Sequence, residues 1–246
     1  MKKRRSRGHN HRVLPYILIV ITIIVVLSLV AGYLFLGKTG NLSRFSTTTT
    51  MIAVHPIILY INQGNGAVNE SNFGSMISFA KSNGFNTIFF QVYRSGVLLF
   101  TNSQLSYFVS EAHSSNFSIF FALYFTNSSE TIPSSIYSLG ENGINLDMST
   151  LDLVTQSALL SSLQTNFRGQ SAVTTLDFQT TLKPDLLIFE TYSPSDSQYI
   201  HAGIIASVGV FATTSEQDYN TQFSYALTHS DGVMVFDYAT LLARGY

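Results

Sequence analysis

The sequence has no cysteine and few charged residues, which make up 11% of its 246 positions. Without cysteine the chain forms no disulfide and has no thiol nucleophile. Motifs of the types Gly-x-Ser-x-Gly, Gly-x-Gly-x-x-Gly and His-Glu-x-x-His are also missing. The formal net charge of -1 gives no electrostatic reason to expect nucleic acid as a partner. We therefore expect no metal, no cofactor and no nucleic-acid binding.

Positive charge is concentrated in residues 1–12, and an uncharged apolar run follows at 13–37. As a helix, this run is long enough to cross a hydrocarbon core of ~30 Å. A cleaved signal peptide is the alternative, but its apolar region is usually only about 7 to 15 residues long. The sequence thus predicts a single-pass membrane anchor, with the basic tail in the cytoplasm and the C-terminal domain outside the cell membrane.

Small hydroxyl residues dominate 38–51, which has the composition of a flexible linker. The remaining residues, 52–246, are expected to form one folded extracytoplasmic domain. If the host glycosylates asparagine, an external domain can carry glycans at Asn-x-Ser/Thr triplets. Four such triplets begin at Asn41, Asn69, Asn116 and Asn127.

Eight apolar runs recur through this domain, each followed by polar or glycine-rich sequence. Continuous runs of β-branched and aromatic residues are typical of parallel strands that are covered on both faces. They lie at 57–63, 86–93, 117–125, 143–148, 172–178, 185–192, 204–212 and 232–239.

Helical periodicity fills several of the intervening segments. One segment places Phe73, Met76, Ile77 and Ala80 on a single face, and the next repeats this with Leu105, Phe108, Val109 and Ala112. Two further helices are expected within 149–167 and 215–230.

Alternating strands and helices predict an α/β fold, here a small (β/α)8 barrel of the TIM type. The connections after the third and fifth strands look too short or irregular for full helices, so we expect the barrel to be incomplete there. An open doubly wound sheet is the alternative, and the missing glycine-rich turn after the first strand disfavours it.

The active face of such a barrel lies at the carboxyl ends of its strands. Glu190 shares strand parity with Leu186, Ile188 and Tyr192, so it lies at the barrel mouth if that face is the interior. The expected site residues at these strand ends are Tyr60, Gln91, Tyr93, Arg94, Tyr124, Asp147, Asp177, Glu190, Tyr192, Asp237 and Tyr238.

Paired carboxylates in an aromatic-lined cleft suit the cleavage of glycosidic bonds. We assign Asp147 as nucleophile or base and Glu190 as general acid, because a carboxyl at a partly apolar mouth holds its proton more firmly. Structural roles compete for the other groups. Asp177 is suited to cap its loop, Asp237 to accept structural hydrogen bonds, and Arg94 to pair with an acid at the rim.

With these strand ends in view, the chain resembles the glycosyl-hydrolase-like (β/α)8 barrels. Residues 83–125 look like the second and third βα units of those families. "GINLDMST" is similar to their fourth strand, "LLIFETY" to the Glu-bearing sixth strand of polysaccharide hydrolases of the polygalactosaminidase type, and "GVMVFDYATL" to their closing strand. The resemblance implies a hydrolase acting on a cell-surface or extracellular polysaccharide.

The sequence departs from that pattern after its fourth strand. Such strands often continue Asp-Tyr-x-Arg, whereas Met148, Ser149 and Thr150 follow Asp147 here. The chain is also shorter than typical members. The rival hypothesis is therefore a barrel without catalysis that binds a glycan or a protein partner at the cell surface.

Overall fold

The first strand closes the sheet because it pairs with a neighbour on each side. In the computed structural model, which describes residues 55–62, 68–211 and 213–244, β1 (Ile57–Ile61) runs parallel to both β2 (Thr87–Arg94) and β9 (Gly232–Phe236). A two-residue strand, β3 (Val97–Leu98), pairs antiparallel with β2 and lies outside the barrel. The remaining barrel strands follow in chain order, namely β4 (Ser118–Tyr124), β5 (Gly143–Asp147), β6 (Gln170–Thr175), β7 (Leu186–Glu190) and β8 (Ile205–Gly209). The eight predicted strands thus form a closed parallel TIM-type barrel, which rules out the open sheet.

The N-terminal predictions lie outside the described residues. These are the basic tail at 1–12, the anchor at 13–37, the linker at 38–51 and the triplet at Asn41. Among the helices that the structure does describe, none combines the length and the apolar character needed to cross a bilayer.

Helices surround the barrel, and the first, second and fourth of them are amphipathic. They are α1 (Glu70–Ser82), α2 (Asn102–Ser114), α3 (Leu153–Asn166), α4 (Glu216–His229) and α5 (Tyr238–Arg244). The first two bury the predicted faces and begin with capping boxes at Asn69 and Thr101. The last helix was not predicted, since the ninth strand ends at Phe236 and not at the expected residue 239.

Three connections contain no α-helix, and all of their residues are described. The segment after β4 has only a 3-10 turn at Ser134–Ile136, and the segment after β6 has no helix at all. Both shortened connections were predicted. The segment after β7 adds a third, with a 3-10 helix at Pro194–Tyr199. The loops at this side of the barrel mouth are correspondingly short.

Alternation along the strands separates two apolar cores. One fills the barrel interior and includes Ile58, Phe89, Phe120, Ile188 and Met234. The other lies between the strands and the surrounding helices. Because side chains of one parity point inward, Leu186 and Ile188 of β7 point into the barrel interior. Glu190 lies above them at the cavity, as the sequence predicts.

A bulge in β2 changes which residues face the interior. The two strands β2 and β4 lose register between Gln91 and Tyr93, and beyond that point Arg94 lies opposite Tyr124. Since a bulge inserts one extra residue, the inward parity passes from Gln91 to Arg94. Tyr93 therefore points away from the interior and packs in the outer core.

Small size at Gly143 is required for the interior to close. A Cβ atom at this position would lie 2.1 Å from the Phe120 ring and 2.7 Å from the Gln170 carbonyl oxygen. The Phe120 ring is itself stacked on Phe89, with centroids 4.8 Å apart. It has little room to move.

We predict that Gly143→Ala lowers the free energy of unfolding by about 1 to 3 kcal/mol, the usual cost of overpacking a core, measured by urea denaturation. Gly74→Ala is the matched control. Its Cβ atom would meet only the end of the flexible Glu111 side chain at 3.3 Å, and alanine favours the helix that contains it. Equal stability of the two variants would contradict the packing argument.

Candidate active site

A cavity of about 310 Å³ opens at the carboxyl ends of the barrel strands. Its volume is at the lower end of the range for ligand sites, roughly 300 to 1,000 Å³. Strands from around the barrel contribute side chains to it. The lining residues are Tyr60, Asn62, Gln91, Arg94, Tyr124, Asp147, Ser149, Glu190, Tyr192 and Phe236.

Asp147 is the last residue of β5 and is 8% exposed. Burial is the main cause that raises the pKa of its carboxyl to about 7, and the charge of Glu190 raises it further. The hydroxyl of Ser149 donates a hydrogen bond to Oδ1 over 3.2 Å, which favours the ionised form. Near neutral pH this carboxyl is therefore poised between its two protonation states.

The loop after Asp147 is fixed by hydrogen bonds from its surroundings. The Gln156 amide donates to the carbonyl oxygens of Met148 and Leu151, at 3.2 and 2.7 Å. The Thr150 hydroxyl donates to the Phe125 carbonyl oxygen at 3.1 Å. These contacts hold the backbone that carries Ser149 against the carboxyl of Asp147.

Glu190 is the last residue of β7, and it is more exposed than Asp147. Burial raises the pKa of its carboxyl, and the hydrogen bond from Tyr192 opposes that rise. The Tyr192 hydroxyl lies 3.2 Å from Oε1 as the donor. This bond favours the ionised form of Glu190. Because Asp147 is more deeply buried and its pKa is also raised by the charge of Glu190, Glu190 is the better carboxylate of the pair and Asp147 the better holder of a proton.

The two carboxyls belong to strands separated by one other strand. Asp147 is in register with Thr174 of β6, which is in register with Ile188 of β7, two residues before Glu190. Strand spacing and residue rise then place the two Cα atoms on the order of 12 Å apart. Both side chains point from the wall into one cavity, so their carboxyl groups lie closer together than that.

Tyr60 lies in the barrel interior, lines the same cavity as the two acids and is 2% exposed. Its pKa is raised well above its usual value, mainly by burial and then by the charges of Asp147 and Glu190. Its hydroxyl therefore stays protonated in the presence of the two acids. The ring packs against Phe236, with centroids 5.0 Å apart.

A cation and an aromatic ring form another part of the wall. The Arg94 guanidinium lies over the Tyr124 ring, 5.8 Å from its centroid, a separation suited to a cation–π contact. The charge of Arg94 lowers the pKa of Tyr60 and so opposes the increase that the two acids cause. Arg94 thus supplies positive charge to a cavity that holds two carboxyls.

Four expected site residues do not line this cavity. Tyr93 instead contacts Glu130, and burial followed by that contact raises the pKa of its hydroxyl to about 12. Asp177 is exposed and accepts a hydrogen bond from the Gln179 backbone at 3.0 Å, which is the loop-capping alternative.

The other two residues lie at the junction of β9 and α5. Asp237 is buried and accepts hydrogen bonds from the Asn62 amide at 2.8 Å and from the Thr240 backbone at 2.9 Å. It is thus a structural acceptor that holds a cavity residue in place. Tyr238 begins α5, and its ring packs edge-on against Phe79 with centroids 5.2 Å apart.

Three lining residues were not among the expected site residues. Asn62 follows the first strand, and Phe236 shares inward parity with Met234, so strand alternation carried a signal for both. Ser149 lies beyond the end of β5. Its contact with Asp147 depends on the loop conformation, and the sequence pattern held no signal for it.

The described glycosylation candidates are all on the surface. Asn69, Asn116 and Asn127 are exposed, and the first and last accept backbone hydrogen bonds through their side chains. Glycosylation at these positions stays a prediction. In the described parts of the chain, no group of three or more His, Asp or Glu side chains is arranged to hold a metal ion.

A wider, shallow depression of about 900 Å³ runs along α4. All of its described lining residues belong to this one helix, among them Glu216 and Tyr225. It brings together no described groups from separate elements. The cavity at the barrel mouth is therefore the candidate active site.

Solved structures with a similar fold include several glycoside hydrolases. The GH113 β-mannanase AaManA from Alicyclobacillus acidocaldarius, in complex with ManMIm, aligns with a TM-score of 0.54 at 7% identity, over 75% of this chain and 86% of that one. A complex of a GH113 β-1,4-mannanase gives a TM-score of 0.52 at 8% identity, over 74% of this chain and 87% of that one. The structure of CpGH84B gives 0.52 at 9% identity, and the match covers 74% of this chain but only 45% of that protein.

At such low identity the likeness establishes a shared fold, which is the (β/α)8 barrel found in these glycoside hydrolases. No family model matches the sequence. No curated protein matches it either. The expected resemblance to glycosyl-hydrolase-like barrels is confirmed at the level of architecture.

The raised pKa of Asp147 predicts a pH-dependent cost to stability. Unfolding returns the carboxyl to its ordinary pKa near 3.8, so its burial destabilises the fold progressively as pH rises from about 4 to about 7. Asp147→Asn should therefore raise the melting temperature above pH 7 and have little effect near pH 4. Melting curves of both proteins across this range test it.

A second buried acid, Glu141, does not disturb this comparison of melting temperatures. It is buried before β5, and burial raises the pKa of its carboxyl to about 7 as well. Since Glu141 is present in both proteins, its contribution cancels in their difference. A melting-temperature difference between Asp147→Asn and the unchanged protein that does not vary with pH would argue against the buried, protonated Asp147.

Proposed function

We propose that this chain is a glycoside hydrolase that cleaves a cell-surface or extracellular polysaccharide. The observation that carries the proposal is the pair Asp147 and Glu190, two carboxyls in one aromatic-lined cavity at the mouth of the barrel. Electrostatic coupling between them supports a joint role. The tyrosine rings in the wall offer apolar faces with polar edges, as sugar rings require.

The roles within the pair follow from their surroundings. Asp147 is the general acid, because burial and the neighbouring charge keep a proton on it near neutral pH. Glu190 is the nucleophile or the base that activates water, because Tyr192 favours its ionised form. This assignment is the reverse of the one drawn from the sequence, which had no information on the relative burial of the two groups.

The proposed reaction combines a proton transfer with an attack on the anomeric carbon. The protonated carboxyl of Asp147 gives its proton to the departing glycosidic oxygen as the bond to the anomeric carbon breaks. The Glu190 carboxylate either takes a proton from the water that attacks that carbon, or attacks the carbon itself. In the second case a water molecule, which gives a proton back to Asp147, then displaces the sugar from Glu190. Arg94 and Tyr60 line the same cavity, and in this proposal they contact substrate hydroxyl groups.

Asp147→Asn and Glu190→Gln should each lower kcat on a cleaved polysaccharide by about 10² to 10⁴, the usual contribution of a general acid or base. Reducing-sugar release over a polysaccharide panel measures this loss. Glu141→Gln is the matched control, since it removes another buried acid that lies before β5 and outside the cavity. Its activity should stay near that of the unchanged protein.

Other outcomes would favour a different function. If no polysaccharide is cleaved, or if both acid variants keep full activity, the enzyme proposal is wrong. Binding of a glycan or a protein without any cleavage would support the rival, a barrel that serves as a surface-binding module. Loss of activity in all three variants, Glu141→Gln included, would indicate a general defect of folding.

We also propose that residues 13–37 anchor the enzyme in the cell membrane. Support comes from the sequence alone, in which this uncharged run follows the basic residues at 1–12. An anchored barrel would meet polysaccharide outside the cell, and the described triplets at Asn69, Asn116 and Asn127 would be accessible there.

Cell fractionation tests the anchor directly. The full-length chain should stay in the membrane fraction after carbonate extraction, and deletion of 13–37 should release it. Deletion of 38–51 is the control and should leave it in the membrane. Protease added to intact cells should digest the barrel domain. Its protection from protease would contradict the proposed orientation.

A further inference from the structure

Two aromatic rings stack outside the barrel wall, in the connections that follow β6 and β7. Phe178 follows β6 and Tyr199 ends the 3-10 helix after β7, and their rings lie 4.1 Å apart with an angle of 6° between their planes. Tyr199 is 38% exposed, and the neighbouring Leu176 is 52% exposed. Both loops are fully described, and neither contains an α-helix.

Only one ring of this pair is needed to cover the barrel wall. Phe178 packs edge-on against Phe189 of β7, with centroids 5.3 Å apart, so it takes the place of a covering helix. Tyr199 stacks on Phe178 and stays partly exposed to solvent. Its position is fixed by the stack, so a ligand would lose little free energy by ordering it.

The side chains next to the two rings in sequence favour a hydroxyl-bearing ligand without negative charge. Gln179, Gln198 and His201 are exposed and offer hydrogen-bonding groups, and the exposed Asp177 beside Phe178 disfavours an anionic ligand. A sugar ring needs one aromatic face and a few such groups. A stable protein interface buries roughly 800 Å² on each partner, far more than two partly exposed apolar side chains provide.

The pair is also close to the cavity along the chain. Phe189, which Phe178 covers, is followed directly by Glu190, so the rings lie on the outer side of the strand that carries this acid. The cavity of about 310 Å³ holds only a short part of a polymer. The remaining length must run over the rim.

We propose that the Phe178–Tyr199 pair is a second saccharide-binding site, which holds a polysaccharide chain outside the cavity. The site rests on the proposed function for its class of ligand, a neutral polysaccharide. It contributes binding to long chains and none to oligosaccharides that fit within the cavity.

Affinity electrophoresis of the full-length chain tests this site in gels that contain mannan, xylan, hydroxyethyl cellulose or glycol chitin. At least one of these polymers should retard the unchanged protein. Tyr199→Ala should weaken that retardation by about two- to tenfold in apparent Kd, the effect of one lost aromatic contact. Tyr199→Phe keeps the ring and should retain most of the binding.

Tyr225→Ala is the matched control. Tyr225 is also 38% exposed and also stacked, on His229 at 3.9 Å and 10°, but it lies on α4. Its replacement should leave the retardation unchanged. The Asp147→Asn variant should still be retarded by the polymer. A protein that binds polymer through Tyr199 but cleaves nothing would contradict the proposed activity and support this site.

Any of the following results would overturn the proposal. The first is a Tyr199→Ala variant that migrates like the unchanged protein in every gel, or a protein that no polymer retards. The second is an equal loss of binding in Tyr225→Ala. The third is light scattering that shows Tyr199→Ala converting an oligomer to a monomer without an effect on retardation, which would make the rings a contact between copies of the chain.

Discussion

Closure of the barrel is the constraint on which the rest of the structure depends. Once β1 pairs with both β2 and β9, alternate residues of every strand must share one narrow interior. Aromatic and aliphatic side chains fill it, and Gly143 leaves the space that Phe120 occupies. The carboxyls of Asp147 and Glu190 lie at the open end of this interior, so their chemistry follows from the packing below them.

The cavity end of the barrel is unusually rich in charged side chains for a chain with so few of them. Two carboxyls, one guanidinium and several tyrosines share a cavity of about 310 Å³ in a sequence that is 11% charged. Burial raises the pKa of both acids, and a hydroxyl hydrogen bond opposes the rise in each. The deeper burial of Asp147 and the charge of Glu190 beside it distinguish the two. The same burial that poises Asp147 for proton transfer costs the fold stability above pH 4.

Missing helices shape the surface next to this cavity. After β6 and β7 the barrel wall is covered by loops, and Phe178 does the packing that a helix would otherwise do. A loop covers less area than a helix, so apolar side chains remain partly exposed beside the mouth. The proposed saccharide site is thus a consequence of the shortened fold.

The sequence by itself determined the eight strands, the buried faces of the first two helices and the placement of Asp147 and Glu190 at strand ends, because these depend on local periodicity. Only the tertiary structure decided which neighbours join them. A bulge after Gln91 turned Tyr93 outward and Arg94 inward, hydrogen bonds made Asp237 structural, and a loop brought Ser149 to Asp147. Burial and long-range contacts fix protonation and orientation, and neither is encoded in the spacing of residues along one strand.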